Sequence, residues 1–77
     1  MEVNTKKIDD TVLALLFLTS FEQGIGVRAW KGQDWDSLNR LHEKGMISDP
    51  RSKAKSVVFS EAGLKRSRHL FEKMFGK

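Results

Sequence analysis

The sequence predicts one small domain, residues 1–77, that is mainly α-helical with a small β-hairpin. Three observations lead to this fold class. A chain of 77 residues has room for one core. Apolar residues recur at helical spacing near the start, in the middle and at the end of the chain. Two short apolar runs, 46–48 and 57–59, flank a turn-forming stretch, which is typical of an antiparallel strand pair.

The first helix is expected to begin after Asn4 or Thr5, whose side chains are good caps, and to continue to about Glu22. Gly24 and Gly26 then end it, because glycine easily adopts the backbone conformations that terminate helices.

The apolar residues of this helix, between Val12 and Leu18, surround it on nearly every side. One small partner layer cannot cover them all. Either the helix is central to the domain, or one face is buried against a second copy of the chain. For so short a chain we favour a homodimer through the first helix.

Residues 27–30 form either a short strand or a single helical turn, and Gly32 stops either one. Trp30 has two interpretations. It is a core aromatic residue, or it is an exposed anchor for stacking or for a partner, since tryptophan often serves in that way.

The second helix is expected to begin after the cap Asp34 and to end at Gly45. Four residues at helical spacing share its apolar face: Trp35, Leu38, Leu41 and His42. His42 is therefore interpreted as a packed, hydrogen-bonded histidine and not as a catalytic one. The outward face carries mixed charges.

The connection between the two short strands opens with a turn at Asp49 and Pro50. It then presents three cations at alternate positions, Arg51, Lys53 and Lys55. On an extended loop this alternation would align the three charges on one side, a spacing that suits a run of phosphates.

The last helix is expected to start at the cap Ser60 and to stop at Gly76. One side is apolar, and the other carries Lys65, Arg66, His69 and Lys73. This basic face is either a solvated surface or a phosphate-facing one.

Positive charge is concentrated in the second part of the chain. Residues 1–50 have a net charge of −2, whereas residues 51–77 have +6, within a total of +4. Such a local field attracts polyanions such as nucleic acid, although basic composition also serves solubility.

Several classes of protein are disfavoured. The absence of cysteine suits a reducing cytoplasm, and two histidines are too few for a histidine-based zinc site. We expect no signal peptide, no membrane span, no small-molecule substrate and no cofactor. An enzyme is not expected, because the paired carboxylates Asp9 with Asp10 and Asp34 with Asp36 lie near helix starts and no nucleophile accompanies them.

The order LNRLHEKGMIS, a basic turn, and VVFSEAG followed by an amphipathic helix resembles the helix, wing and C-terminal helix of winged-helix transcription regulators. The resemblance implies a winged-helix-like fold, dimerisation through terminal helices, and duplex DNA contacted by the helix before the wing. Two departures from the winged-helix regulators argue against recognition of bases by this helix. Residues 26–34 leave scarcely any room for the usual second helix, and the helix before the wing begins with Asp34 and Asp36.

Over nearly its whole length, with RAWKGQDWDSLNRLHEKG as the most specific string, the sequence also resembles a family of small uncharacterised bacterial proteins, the domain of unknown function DUF6429. This resemblance implies a winged-helix-like fold and transfers no functional residues.

Two hypotheses of function stand side by side. In the first, the chain binds double-stranded DNA: Arg51, Lys53 and Lys55 contact phosphates, Arg40 and Asn39 are the base-contacting candidates, and Arg28 and Lys31 add backbone contacts. In the second, it is a protein-interaction or homodimerisation module, and the basic loop serves solubility.

Overall fold

The structure is a computed structural model that describes all residues, 1–77. Three helices and three strands follow one another along the chain: α1 (Thr5–Leu18), β1 (Ser20–Gln23), β2 (Gly26–Trp30), α2 (Trp35–Glu43), β3 (Ser56–Val58) and α3 (Glu61–Phe75). The strands form one antiparallel sheet in the order β1–β2–β3. The fold is therefore a mixed α/β arrangement of three helices on a small sheet.

The helices begin where the polar caps predict. Asn4, Asp34 and Ser60 each accept a hydrogen bond from the backbone amide three residues later, at 3.1, 3.1 and 2.9 Å. Each bond satisfies an amide that has no partner inside its own helix. Both Asp34 and Ser60 are confirmed as caps, and Asn4 is the cap of the first helix.

The first helix is shorter than predicted. It ends at Leu18, not near Glu22, and a strand follows directly. The Ser20 hydroxyl donates to the Phe17 carbonyl at 2.7 Å and thereby satisfies one of the free carbonyls at the helix end. Gly24, with φ of +63°, then forms the tight turn between β1 and β2.

Residues 27–30 belong to a strand, which settles the two alternatives left by the sequence. Ala29 of β2 lies opposite Val57 of β3, and both are fully buried. The strand predicted at 46–48 is reduced to a single bridge between Ile47 and Phe59. The hairpin expected around the basic loop is therefore much shorter than the pattern predicted, and the main strand pairs lie elsewhere.

The core lies between α1, the other two helices and one side of the sheet. Eleven buried apolar residues form it: Val12, Leu13, Ala14, Leu16, Ala29, Leu38, Leu41, Ile47, Val57, Phe59 and Leu70. The first helix packs against α2, α3 and β2. It is thus central to the domain, although Leu18 at its end remains 60% exposed.

The start of α3 crosses close to the chain at Met46. A side chain added at Gly63 would overlap the Met46 backbone carbonyl, so this crossing requires glycine. None of the three helices is both long and apolar enough to cross a membrane.

Candidate nucleic-acid interface

The loop of residues 49–55, called here the basic loop, is folded into turns and is not extended. Asp49 causes this locally. Its carboxylate accepts bonds from the Arg51 backbone amide at 2.9 Å and from the Arg51 Nε at 3.1 Å. The predicted turn is present, but the alignment of three cations along an extended segment is not formed.

Arg51 is consequently a paired cation. Its guanidinium lies against Asp49 and holds the pKa of that carboxyl below its usual range, chiefly through their side-chain hydrogen bonds. The Arg51 side chain is largely exposed to solvent and the Asp49 side chain partly so, and such a solvent-accessible pair stabilises the fold little. The pairing nevertheless offsets the charge that Arg51 would otherwise present to a phosphate.

Lys31 connects the basic loop to the sheet. Its Nζ donates to the carbonyls of Pro50 and Ser52, both at 2.7 Å, and its backbone amide donates to the Lys55 carbonyl at 3.3 Å. The ammonium group also lies 5.8 Å from the centre of the Trp35 ring. These contacts hold the loop in one position beside the end of β2.

Lys53 and Lys55 are exposed, and neither side chain forms a hydrogen bond or an ion pair within the protein. They are therefore the two predicted loop cations with charge available to an external anion. Because Lys31 fixes the backbone around them, less conformational entropy is lost when they bind.

Arg28 lies on the same part of the sheet. Its Nε donates to the Ser56 hydroxyl at 2.7 Å, and a terminal nitrogen donates to the Ser56 carbonyl at 3.2 Å. The structure thus brings together five of the seven predicted site residues around β2 and the basic loop: Arg28, Lys31, Arg51, Lys53 and Lys55.

Arg40 is separated from that group. It donates two hydrogen bonds to Asp9 of α1, at 2.7 and 2.8 Å, and the Asp9 side chain is only 2% exposed. The bonds from Arg40 lower the pKa of the Asp9 carboxyl, against an opposing effect of burial. A guanidinium held in this way joins two helices and is not free to contact a base.

The exposed part of α2 carries carboxylates. Asp36 and Glu43 are exposed, whereas Asn39, the other predicted base-contacting residue, is partly buried. With Arg40 bound to Asp9, this helix offers no free cation at its start, where contact with the DNA major groove is expected. The acidic start noted in the sequence thus persists on the folded surface.

The predicted packing and hydrogen bonding of His42 are confirmed, since its Nδ1 lies 3.0 Å from the Ile47 carbonyl and the ring is partly buried. Trp35 was expected on the same apolar face but is 51% exposed. It lies in the first turn of α2, beyond the edge of the core. No three His, Asp or Glu side chains lie close enough to share a metal ion.

Two aromatic residues add to this surface. Trp30 is 55% exposed, and its ring centre lies 5.0 Å from that of Phe21 on the neighbouring strand. The exposed alternative for Trp30 is therefore the one found. Phe21 is partly buried, and its position in the sheet was missed because the residue continues the apolar pattern of α1. The two-residue hairpin turn at Gly24 and Ile25 was the signal that could have revealed it.

Comparison with known proteins identifies a family but no activity. The model of a domain of unknown function, DUF6429, matches residues 4–77. The chain is 51% identical over 75 residues to the uncharacterized protein y4hR of Sinorhizobium fredii, and the match covers 97% of each chain. No solved structure matches the chain.

Proposed function

We propose that this chain, which belongs to the DUF6429 family of unknown function, is a small nucleic-acid-binding protein that contacts phosphates through the basic loop. The proposal assigns a binding role and no catalysis. A cytoplasmic location is part of it, supported by the absence of cysteine.

The observation that carries the proposal is the pair of free lysines in an anchored loop. Lys53 and Lys55 are exposed without protein partners, and Lys31 holds the backbone on either side of Lys53 through Ser52 and Lys55. Lysines that contact phosphates release condensed counterions, which favours binding at low salt. The net charge of +6 over residues 51–77 adds a longer-range attraction.

A winged-helix-like arrangement belongs to the same proposal. It is supported by the position of α2 before the basic loop. It is also supported by the β-bridge between Ile47 and Phe59, the residue that directly follows β3. In place of the helix that normally precedes the recognition helix, this chain has the β1–β2 hairpin. The interface we propose is accordingly the loop and the sheet, and not α2.

A salt titration tests the proposal. The affinity of the protein for a nucleic acid of generic sequence should fall linearly with the logarithm of salt concentration. The double variant K53A/K55A should reduce the magnitude of that slope by about 1.8 on duplex DNA, because each lost phosphate contact contributes about 0.9.

A matched control removes the same charge elsewhere. Lys7 and Lys77 are also exposed and unpaired, and K7A/K77A should leave the slope nearly unchanged. Absence of binding to both single-stranded and duplex nucleic acid at low salt, or an equal effect of the two double variants, would contradict a phosphate-binding role for the loop.

A second candidate function, homodimerisation, is favoured by a different surface. The rings of Phe17, Phe71 and Phe75 follow one another with centres 5.4 Å apart, from α1 to the exposed end of α3. Leu18 and Met74 are also exposed at these helix ends. Exposed apolar residues that gather at one end of a small domain are typical of an interface with a second protein.

A further inference from the structure

We propose that the nucleic acid bound by this protein is single-stranded, and that Trp30 and Phe21 stack against its unpaired bases. This inference rests on the proposed function, because the same basic loop supplies the phosphate contacts. It names the class of ligand, selects the stacking interpretation of Trp30 and adds Phe21, which the sequence pattern did not assign to a binding surface.

One side of the sheet faces away from the core. Successive side chains of a strand point to opposite sides, so Ala29 and Trp30 face opposite ways. Ala29 is buried in the core with its partner Val57, whereas Trp30 is 55% exposed. The register places Phe21 opposite Arg28, on the side shared with Trp30. This side, called here the outer face, therefore carries two aromatic residues and one arginine.

The two aromatic rings lie close together. The rings of Phe21 and Trp30 are 5.0 Å apart and inclined by 34°, and together they form one apolar surface on adjacent strands. Trp30 is exposed and Phe21 is partly buried, and neither residue belongs to the hydrophobic core of the domain. Single-stranded nucleic-acid-binding proteins use such pairs because every base has a flat face that can stack on them.

Positive charge lies beside the rings. Arg28 lies directly opposite Phe21 and two residues before Trp30 on the same strand, and its two bonds to Ser56 hold its guanidinium on the outer face. Ser56 is the cross-strand partner of Trp30, and the free cation Lys55 directly precedes it. A base on Trp30 would thus lie close to cations able to contact the adjoining backbone.

A duplex is less well suited to this surface than a single strand. Bases in a duplex are stacked on one another, so their flat faces are not accessible to Trp30. Reading a duplex through the major groove would need a helix that presents donors, but Arg40 is bound to Asp9 and α2 begins with acidic residues. The available chemistry therefore suits unpaired bases and a flexible backbone.

Fluorescence provides the direct test. The variant W35F leaves Trp30 as the only tryptophan. It should be titrated at low salt with oligo(dT), with oligo(U), and with a DNA duplex of the same number of phosphates. We expect either single strand to quench Trp30 emission and to bind about tenfold more tightly than the duplex. The tighter of the two single strands identifies DNA or RNA as the ligand.

Variants of two exposed aromatic residues complete the test. W30A should weaken single-strand binding about tenfold and leave duplex binding unchanged, whereas W30F should retain most of the affinity. F75A is the matched control, since Phe75 is an aromatic residue that is similarly exposed, at 51%, but lies at the end of α3 and outside the sheet. It should leave single-strand binding unchanged, and circular dichroism should show the same fold in all variants.

Equal affinity for single strand and duplex, with no change in W30A, would overturn this inference while leaving the phosphate-binding function intact. Absence of binding to oligo(dT), to oligo(U) and to the duplex at low salt would overturn both. A loss of binding in W30A equal to that in F75A would also contradict a specific stacking role for the outer face.

Discussion

Arg40 of α2 donates two hydrogen bonds to Asp9 of α1, across 31 positions of sequence, and the Asp9 carboxylate is almost completely buried. The Lys44 ammonium lies 4.0 Å from the same carboxylate. This ion pair fixes the angle between two helices. It also explains why the cation nearest the middle of α2 belongs to the fold and not to the binding surface.

Replacement of Arg40 should destabilise the protein. In R40A the buried Asp9 carboxylate loses its main partner, which costs about 2 kcal/mol of unfolding free energy. Urea denaturation measures the change. The control R51A removes the solvent-accessible ion pair with Asp49 and should change the free energy of unfolding little. Equal destabilisation by the two variants would contradict a structural role specific to Arg40.

Stability should depend on pH through Asp9. Its folded-state pKa lies below the ordinary value of 3.8, so the pair contributes fully above that value. The contribution should be lost as the pH falls below 3.8 through the lowered folded-state pKa. Urea denaturation between pH 7 and pH 2 should therefore show a smaller decline for D9N than for the original chain. Parallel declines would contradict this assignment.

Gly63 should not tolerate a side chain. In G63A the new methyl group overlaps the Met46 carbonyl, and backbone on both sides must move, at a cost of about 3 kcal/mol. Thermal or urea unfolding tests this. G32A is the control, because a methyl group there meets no atom within 4 Å. An unchanged midpoint for G63A would show that the crossing is looser than described.

Lys31 should order the basic loop. K31M removes both bonds to the Pro50 and Ser52 carbonyls while keeping the length of the side chain. Amide hydrogen exchange in residues 50–55 should become faster, and oligonucleotide binding should weaken by more than the loss of one charge explains. K65M on α3 removes one charge without touching the loop and provides the comparison. Equal exchange rates in the basic loop of the original chain, K31M and K65M would contradict an ordering role for Lys31.

The homodimer candidate predicts a dependence on concentration. Sedimentation of the original chain should show association at high concentration, and F75E should shift it to monomer by placing a charge at the exposed end of α3. I25E alters a still more exposed apolar residue at the hairpin tip and should leave association unchanged. Sedimentation as a monomer at every concentration would contradict homodimerisation.

Local signals predicted the parts of the fold that depend on neighbours in sequence. The caps Asp34 and Ser60, the amphipathic α3 and the packed His42 all follow from spacing within a few residues. The end of α1 could not be predicted from such local spacing. Phe21 fits a continued helix as well as a strand, and only pairing with β2 decides between the two.

The candidate site likewise has features that local sequence predicts and features that depend on distant contacts. The cations of the basic loop could be predicted as charges, but their availability depends on contacts that are distant in sequence. Arg40 donates to the Asp9 carboxylate, and the Lys31 ammonium donates to two loop carbonyls. No local sequence pattern indicates either of these partners. The contact of Arg51 with Asp49 is local, yet its effect on the loop shape depends on the turn that both residues form.

The β1–β2 hairpin has a consequence for how the molecule behaves in a crowded solution. β1 pairs only with β2, so one row of its main-chain amides and carbonyls faces outward. Such an edge is a template on which another polypeptide can add a strand and start an aggregate. Here the template is four residues long, and Glu22 places a negative charge on it. A short, charged edge resists such addition, so this sheet can remain open on one side in a monodisperse protein.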